Sequence, residues 1–517
     1  MKLRDLWHST LPAAPDGGLG WLCVASGFGL YSLAVGLQYV FGIILSAILL
    51  DASLIGAASR AEVSWASSIQ SAAFMFGALP SSLLRPTLGI RGTILLGGAL
   101  LSLGSLFCAY ASDLTMLCFG MSIVGLGCSL PSTVAVTALQ AWFVSYRGTA
   151  SGIVVCGSGA GAMLLGPLIQ EQVDLGGWRR AMLCIALLSA VVIPLCALFT
   201  IPLTIVPLPP EEAAAGSSSP STPSAGAAGA AASPLSPALT GSPSSHQLLD
   251  LTAHSPAPQQ QAAAPEGRRE RVFIDWPEPA LELEVVRGSA TPTSSQGYAL
   301  LLANQPFLCF LGFISLYGSA WFSLIAHYNS AARETGTSAD DAALLVTYQG
   351  LLNIAGRLSM GWLSDRLSAR GISQLALLQV NVATMAAFTA LLAVPSLLAS
   401  PAYQVLYAAA NGGFGGSLPS LQAPIVVDLV GLPLLPLAFG LVNSVQAPLV
   451  LVAPVLYGAL RSATGNWVAV FGLVGLSVAA GVSILSLMQG LKPGVAPLTL
   501  VGLWAWGTTP SHAKPLP

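Results

Sequence analysis

Apolar residues gather into long runs that recur about twelve times along the chain. Their spans are approximately 20–48, 64–84, 91–111, 114–138, 148–170 and 180–204, then 306–328, 342–363, 374–398, 402–427, 436–460 and 467–490. Each is near the roughly 20 residues that a helix needs to cross a bilayer. In lipid the backbone must satisfy its own hydrogen bonds, and a helix does so. The pattern predicts an all-α polytopic membrane protein with twelve transmembrane helices in two six-helix bundles. Bundles duplicated in this way, each built from inverted repeats, are a transporter architecture with the ligand site near mid-membrane. The predicted organisation is an N-terminal cytoplasmic tail (1–18), a first bundle (19–206), a disordered cytoplasmic linker (207–297), a second bundle (298–490) and a C-terminal cytoplasmic tail (491–517).

One position breaks the pattern. Arg357 is the only Arg or Lys well inside an apolar run, Ala343 to Trp362. Asp365 and Arg366 mark the water-facing end of that run, so Arg357 lies about 12 Å deeper at helical rise. A charge at that depth costs about 2.5–3.5 kcal/mol on insertion scales, and such charges mark substrate pathways or pair with carbonyls. Two readings follow: a docking point for an anionic ligand, or an arginine tied to carbonyls that locks helices together.

The long gap between the two sets of runs is rich in Ala, Ser, Pro and Gln and has no helical periodicity, which is the composition of a disordered linker. Its basic cluster, Arg268 to Arg271, is followed closely by Asp275, Glu278, Glu282 and Glu284 and reads as a solvated charge run. Short-loop basic residues set orientation. Lys2, Arg4, Arg85, Arg91, Arg147, Arg366, Arg370, Lys492 and Lys514 fall on one side. Arg60, Arg179, Arg180, Arg333 and Arg461 fall on the other. The bias predicts both termini and the linker inside. The plasma membrane is expected rather than an organelle, although the charge bias does not bear on that choice. Asp16 and a glycine cluster interrupt the N-terminus before the first run, so no cleavable signal peptide is expected.

Composition narrows the classes. Charged residues make up 8% of the 517 positions and the net charge is −2. Soluble domains carry about 25% charged residues, and a near-neutral chain makes no electrostatic case for nucleic acid. All eight cysteines lie in apolar stretches without paired spacing, and the five histidines are scattered, so neither a disulfide framework nor a metal site is expected. No nucleophile–base set or cofactor motif points to an enzyme. Glycines cluster in GTASGIVVCGSGAGAML and NGGFGGSLPS. With no preceding strand and apolar surroundings, these read as surfaces where membrane helices approach closely.

Four segments resemble the monocarboxylate transporter family of the major facilitator superfamily. Asp16-Gly17-Gly18-Leu19-Gly20-Trp21 is similar to the family's acidic-Gly-Gly-Trp-Gly-Trp signature, with Leu19 where Trp is usual. WFVSYRGTASGIVVCGSGAG carries Trp142, Phe143, Arg147, Ala150 and Gly152 in that family's fifth-helix pattern. GRLSMGWLSDRL, with Gly361, Asp365 and Arg366, resembles the family's eighth helix and the superfamily's loop motif. Val427 to Leu460 matches its late-helix pattern at Asp428, Gly431, Phe439, Gly440, Leu441, Pro454 and Gly458. The resemblance implies alternating-access transport of small carboxylates, often with a proton, and latching of the cytoplasmic gate by the loop motifs. It also implies that Arg357 pairs with the substrate carboxylate, for which a guanidinium offers a planar fork. Some members of the family travel with a single-span accessory glycoprotein, on which this sequence is silent.

The departures bear on coupling. Proton-coupled members of the family carry an aspartate four residues before that arginine, where this chain has Asn353. They also carry a lysine near the place held here by Gln38 and Tyr39. Asparagine cannot titrate, and no Asp or Glu stands mid-helix in any run, so the usual proton carrier is missing and no cofactor is expected beyond an alternative proton group such as Asp16 or His327. The best polar candidates for the cavity are Tyr348, Gln349 and Asn353, which share the approach to Arg357, and Asn443 and Gln446, three apart on one helix face. Gln38, Tyr39, Tyr31, Gln140 and Tyr317 complete the set. Rival readings are an oxalate/formate-type exchanger of the same superfamily and a non-transporting membrane sensor.

Overall fold

The computed structural model describes residues 16–49, 51, 60–201, 203–207, 269–274, 283–286 and 294–490. Contacts divide the chain into two units. The first comprises Met1–Leu203, Ile274–Glu278 and Thr291–Pro517 and holds every described helix. The second comprises Thr204–Phe273 and Pro279–Ala290.

In the first unit the helices follow in order. The N-terminal half has α1 (Gly20–Ala34), α2 (Gly36–Ile48), α3 (Arg60–Phe76), α4 (Ala78–Ala109), α5 (Leu114–Leu139) and α6 (Arg147–Phe199). The C-terminal half has α7 (Ser294–Ala303), α8 (Gln305–Glu334), α9 (Ala339–Ser368), α10 (Gln374–Leu391), α11 (Pro395–Leu398), α12 (Pro401–Gly415), α13 (Ser417–Val430), α14 (Leu435–Ser444), α15 (Ala447–Thr464) and α16 (Val468–Gly490).

Several of these starts are written in the sequence. Asp113, Asn304, Ser338 and Ser373 each accept a hydrogen bond from a backbone N–H one turn on, the chemistry of an N-cap. Helix α6 has 53 residues. At about 1.5 Å per residue that is far more than the ~30 Å of a bilayer core. It is broken at Gly176 and Gly177, the latter at φ 74° and ψ 180°, a conformation that favours glycine. Helix α4 is broken in the same way at Gly89, φ 70° and ψ 176°.

With these breaks the helices make twelve crossings, as expected. Helices α1 and α2 form the first, α3 with the start of α4 the second, the rest of α4 the third and α5 the fourth. The two parts of α6 are the fifth and sixth. Helices α8, α9 and α10 are the seventh to ninth, α12 with α13 the tenth, α14 with α15 the eleventh and α16 the twelfth. By length and composition alone, eight stretches of the described residues qualify as spans. The others carry more polar residues, α9 above all. Leu103, Leu187 and Leu476 are exposed on the outside of the bundle, as a lipid-facing surface requires.

Glycine sets how closely helices approach. A Cβ added to Gly152 of α6 would lie 2.6 Å from the Arg357 carbonyl oxygen of α9, and one added to Gly148 would lie 2.6 Å from that of Gly361. Gly157 and Gly161 face the α1 backbone at Phe28 and Ser32, while Gly412 and Gly416 face α9 at Gln349 and Asn353. Both glycine clusters therefore seat backbone against backbone.

The two halves repeat one motif at one end. Trp178 Nε1 donates to Asp51 at 2.8 Å, and Arg179 pairs with the same carboxylate at 2.6 Å. In the second half Trp467 Nε1 donates to Glu334 at 2.8 Å, and Arg461 pairs with that carboxylate at 2.5 Å. Each arginine also lies over its tryptophan, 4.4 Å and 5.2 Å from the ring centroid. Such aromatic and basic anchors suit a membrane–water boundary.

In and beside the stretch expected to lack regular structure there are three short strands, β1 (Leu203–Pro207), β2 (Arg269–Ile274) and β3 (Leu283–Val286). They form a sheet in the order β1-β2-β3, with β2 and β3 antiparallel and Arg269 opposite Val286. Val recurs in all three and Ile in β1 and β2, which suits strands. The rest of the expected linker, the first fifteen residues and the expected tail beyond Gly490 lie outside the described residues.

Candidate functional site

A cavity of about 290 Å³ lies within the helical unit, lined from both halves. Among the described residues on its wall, Arg357 alone is charged. The side chain is 4% exposed. Its Nη1 donates to the Val155 carbonyl and to Ser158 Oγ, both on α6, and its Nη2 donates to the Tyr39 hydroxyl of α2 at 3.2 Å. Its Nε is buried and has no hydrogen-bond partner. The two readings of this arginine thus meet in one side chain: it ties α9 to α6 through Nη1, and it also lines the cavity. Burial of an ionised group without full pairing is costly, so an Nε–H left unpaired invites an acceptor.

The polar candidates separate. Gln38, Tyr39, Asn443, Gln446, Tyr31 and Tyr317 line the cavity with Arg357. Tyr348, Gln349 and Asn353 are not on its wall. Tyr348 is 40% exposed. The Gln349 carbonyl faces Gly412, and the Asn353 amide faces Gly416, both on the α12 side of α9. The spacing of these three relative to Arg357 put them on one helix face, but rotation of α9 turns that approach toward α12. Gln140 donates to Ser151 Oγ at 2.8 Å instead of reaching the cavity.

Asp365 sits in the last turns of α9 itself rather than in a loop. Its carboxylate accepts from Gly148 N at 2.8 Å, Thr149 N at 2.7 Å and Thr149 Oγ1 at 2.6 Å. These are the first residues of α6, so the acid caps a helix N-terminus across the two halves. Gly361 allows the approach, because a Cβ there would collide with the Gly148 backbone. Asp16 holds the residues just before. Its carboxylate accepts from Val144 N at 2.6 Å, Ser145 N at 2.8 Å and Ser145 Oγ at 2.8 Å. Gly17 and Gly18 position it: Gly18 takes φ 60°, and the Gly17 carbonyl accepts from Gly20 N as α1 begins. Trp21 stands edge-on to Phe143, with ring centroids 5.1 Å apart. Arg147 Nε donates to the Phe143 carbonyl at 2.8 Å. The signature residues thus build one knot around residues 143–149.

Electrostatics in this knot follow solvation. Burial pushes the Asp16 carboxyl up, but the hydrogen bonds from Val144, Ser145 and Tyr146 outweigh it and hold it below the usual 3.8. For Asp365, beyond the apolar run that ends at Trp362, burial outweighs the hydrogen bonds from Thr149 and Gly148 and leaves its carboxyl raised. Arg366 lies over Trp362, 4.7 Å from the ring centroid. In the first half, Arg85 donates to Thr137 Oγ1 at 3.1 Å and Arg91 to the Thr200 carbonyl at 3.2 Å. His327 Nε2 is 2.9 Å from the Pro454 carbonyl and is not on the cavity wall. Among the described residues no group of three His, Cys, Asp or Glu could hold a metal.

The chain matches the Major Facilitator Superfamily over residues 22–253. Its helical arrangement is that of solved members. The E. coli fucose:proton symporter superposes with a TM-score of 0.56 at 15% identity, over 90% of this chain and 98% of that one. A proton:xylose symporter gives 0.58 at 11% identity, over 94% and 98%. Fold and sequence match together make the chain similar to transporters of that superfamily. Within that class its relatives include monocarboxylate transporter 13 of Rattus norvegicus, 26% identical over 479 residues that cover 92% of this chain and 90% of that one. Monocarboxylate transporter 11 of Homo sapiens is 26% identical over 477 residues, 90% and 82% of the two chains. The chain is thus similar to monocarboxylate transporters along most of its length.

Sequence reasoning missed several residues at the site. Val155 contributes only a carbonyl, and Ser158 stands in a glycine-rich run that signals packing. Trp321 and Gln422 line the cavity but lie in segments with no charge to draw attention. The partner of Asp365, a helix N-terminus, has no side-chain signature.

Proposed function

We propose that this chain is a secondary carrier that moves small monocarboxylate-type organic anions by alternating access, with Arg357 pairing the substrate carboxylate. The observation that carries the reading is the division of labour in one guanidinium. Nη1 is anchored to Val155 and Ser158, whereas Nε has no partner and Nη2 meets only Tyr39. The Nε and Nη2 hydrogens form one edge of the planar fork, matched to the two oxygens of a carboxylate. A substrate that displaces the Tyr39 hydroxyl gains both donors and supplies the missing acceptor. The names of the relatives support the same class.

Among the described residues no Asp, Glu, Lys or His lines the cavity, which supports carriage of the anion without a proton held at the site. The Asp365–α6 contact is then the latch that opens when the halves rock apart. The basic residues of the short loops support both termini inside. The test is uptake of labelled propionate and lactate into proteoliposomes, wild type beside Arg357→Ala, with and without an inward proton gradient. Uptake that needs Arg357 and ignores the gradient is the expected result. Uptake indifferent to Arg357 overturns the assignment of the carboxylate site, and gradient-driven uptake overturns the proton-free mechanism.

A further inference from the structure

The wall of the cavity away from Arg357 has its own chemistry. On α8, Tyr317 and Trp321 are one turn apart and stacked, with ring centroids 6.2 Å apart and planes at 15°. Phe313, one turn earlier, extends the ladder with its ring 5.7 Å from that of Tyr317. The fold makes room for this platform. The Trp321 ring lies over Gly415, at a position where any Cβ would collide with it. Beside the platform stand two amides, Gln422 of α13 and Gln446, the N-cap residue of α15. Gln422 Nε2 donates to Asn443 Oδ1 at 3.3 Å, and Gln446 Nε2 donates to the Val442 carbonyl at 2.9 Å. Both residues line the cavity, and the Gln446 carbonyl oxygen lies over Gly318, itself on the cavity wall. Neither amide oxygen accepts a hydrogen bond among the described residues.

The site therefore has one cationic pole, one flat aromatic wall and two amide acceptors. Its volume of about 290 Å³ reaches the lower end of the usual range for small-molecule sites, about 300 Å³. A three-carbon acid occupies only part of it and touches only the cationic pole. We infer that the preferred substrate is an aromatic monocarboxylate with a hydrogen-bond donor on the ring. Its carboxylate meets Arg357, its ring lies on Tyr317 and Trp321, and its ring hydroxyl or amine donates to Gln422 or Gln446. This inference rests on the carboxylate-carrier reading and narrows it. Ring stacking favours an aryl group over a saturated ring of the same size, and an amide acceptor left unmatched in a buried site disfavours a ligand that lacks the donor.

The experiment is competition against labelled propionate in proteoliposomes of the full-length protein. The competitors are 3-(4-hydroxyphenyl)propionate, 3-phenylpropionate, 3-cyclohexylpropionate and unlabelled propionate. The expected order of potency is the order given. The aryl acid should exceed its cyclohexyl analogue by about threefold to tenfold, as aromatic pairing implies. The ring hydroxyl should add a factor of about three to ten, the size of one hydrogen bond. In Trp321→Leu the ratio of phenyl to cyclohexyl potency should fall to about one, and in Gln446→Met the gain from the hydroxyl should shrink. The wild-type series needs no variant to fold and decides the matter alone. Equal potency of the phenyl and cyclohexyl acids, with Arg357-dependent propionate uptake intact, overturns this inference and leaves the carrier reading standing. No Arg357-dependent uptake of propionate overturns the carrier reading and this inference with it.

Discussion

Replacing Asp365 by alanine removes three acceptor contacts at once, those to Gly148 N, Thr149 N and Thr149 Oγ1. A hydrogen bond to a charged group contributes about 1.5–3 kcal/mol. Three do not add to three times that here. They share one carboxylate, and burial opposes its ionised form strongly enough to leave its carboxyl raised. The freed N–H groups also lie at a helix end that water can reach. About 2 kcal/mol is a fair net figure, roughly a 30-fold shift toward the separated arrangement of α9 and α6. The assay is amide hydrogen exchange at Gly148 and Thr149, followed in a peptide spanning 143–152. Exchange of these two amides should accelerate by about that factor in Asp365→Ala. Asp16→Ala is the internal control, because it frees Val144 and Ser145 instead. Unchanged protection of Gly148 and Thr149 in Asp365→Ala would refute the latch, and acceleration of all four amides in both variants would refute the idea that each acid holds its own pair.

Other outcomes follow from the same contacts. Asp16 has a folded-state pKa below its unfolded value, so its contribution is present above about pH 4 and lost as pH falls through the depressed value. Protection of Val144 and Ser145, corrected for intrinsic exchange, should hold from neutral pH to about pH 5 and collapse below about pH 4. Gly152→Ala should destabilise by about 1–3 kcal/mol, because the new Cβ meets the Arg357 carbonyl. Gly166→Ala, which meets open space, should leave the melting temperature in detergent unchanged. Arg357→Lys keeps the charge but loses the fork, so the concentration for half-maximal uptake should rise at least about tenfold; retention of wild-type affinity would mean that charge alone suffices. Asn353→Asp places a carboxylate on the α12 side of α9, facing Gly416 and away from the cavity, so the pH profile of uptake should stay flat; a new pH dependence in that variant would show that residue 353 reaches Arg357.

The crossings were legible because a bilayer imposes a length and an apolarity that few other environments do. Arg357 was legible for the same reason, since one charge in such a run stands out. The glycine clusters could be read as close approaches, but not the partners they approach. Gly157 faces α1 while Gly152, five residues away, faces α9, a consequence of helix rotation that spacing alone does not fix. The same rotation explains the polar candidates. Asn443 and Gln446 meet the cavity with Gln38 and Tyr39, whereas Tyr348, Gln349 and Asn353 turn from it. The anchors of Arg357 on α6 were not legible, because a backbone carbonyl and a lone serine look like any others in an apolar run. Asp16 and Asp365 were recognisable as signature acids, yet nothing in the sequence says that they grip adjacent stretches of one segment.

The most direct test of the central claim asks whether Arg357 recognises the carboxylate charge itself. Thermal stabilisation of the purified protein by propionate and by its neutral amide, propionamide, reads binding to the folded state. The account predicts that wild type is stabilised by the acid and much less by the amide, and that Arg357→Gln loses this discrimination. A variant that still prefers the acid as strongly as wild type would contradict it.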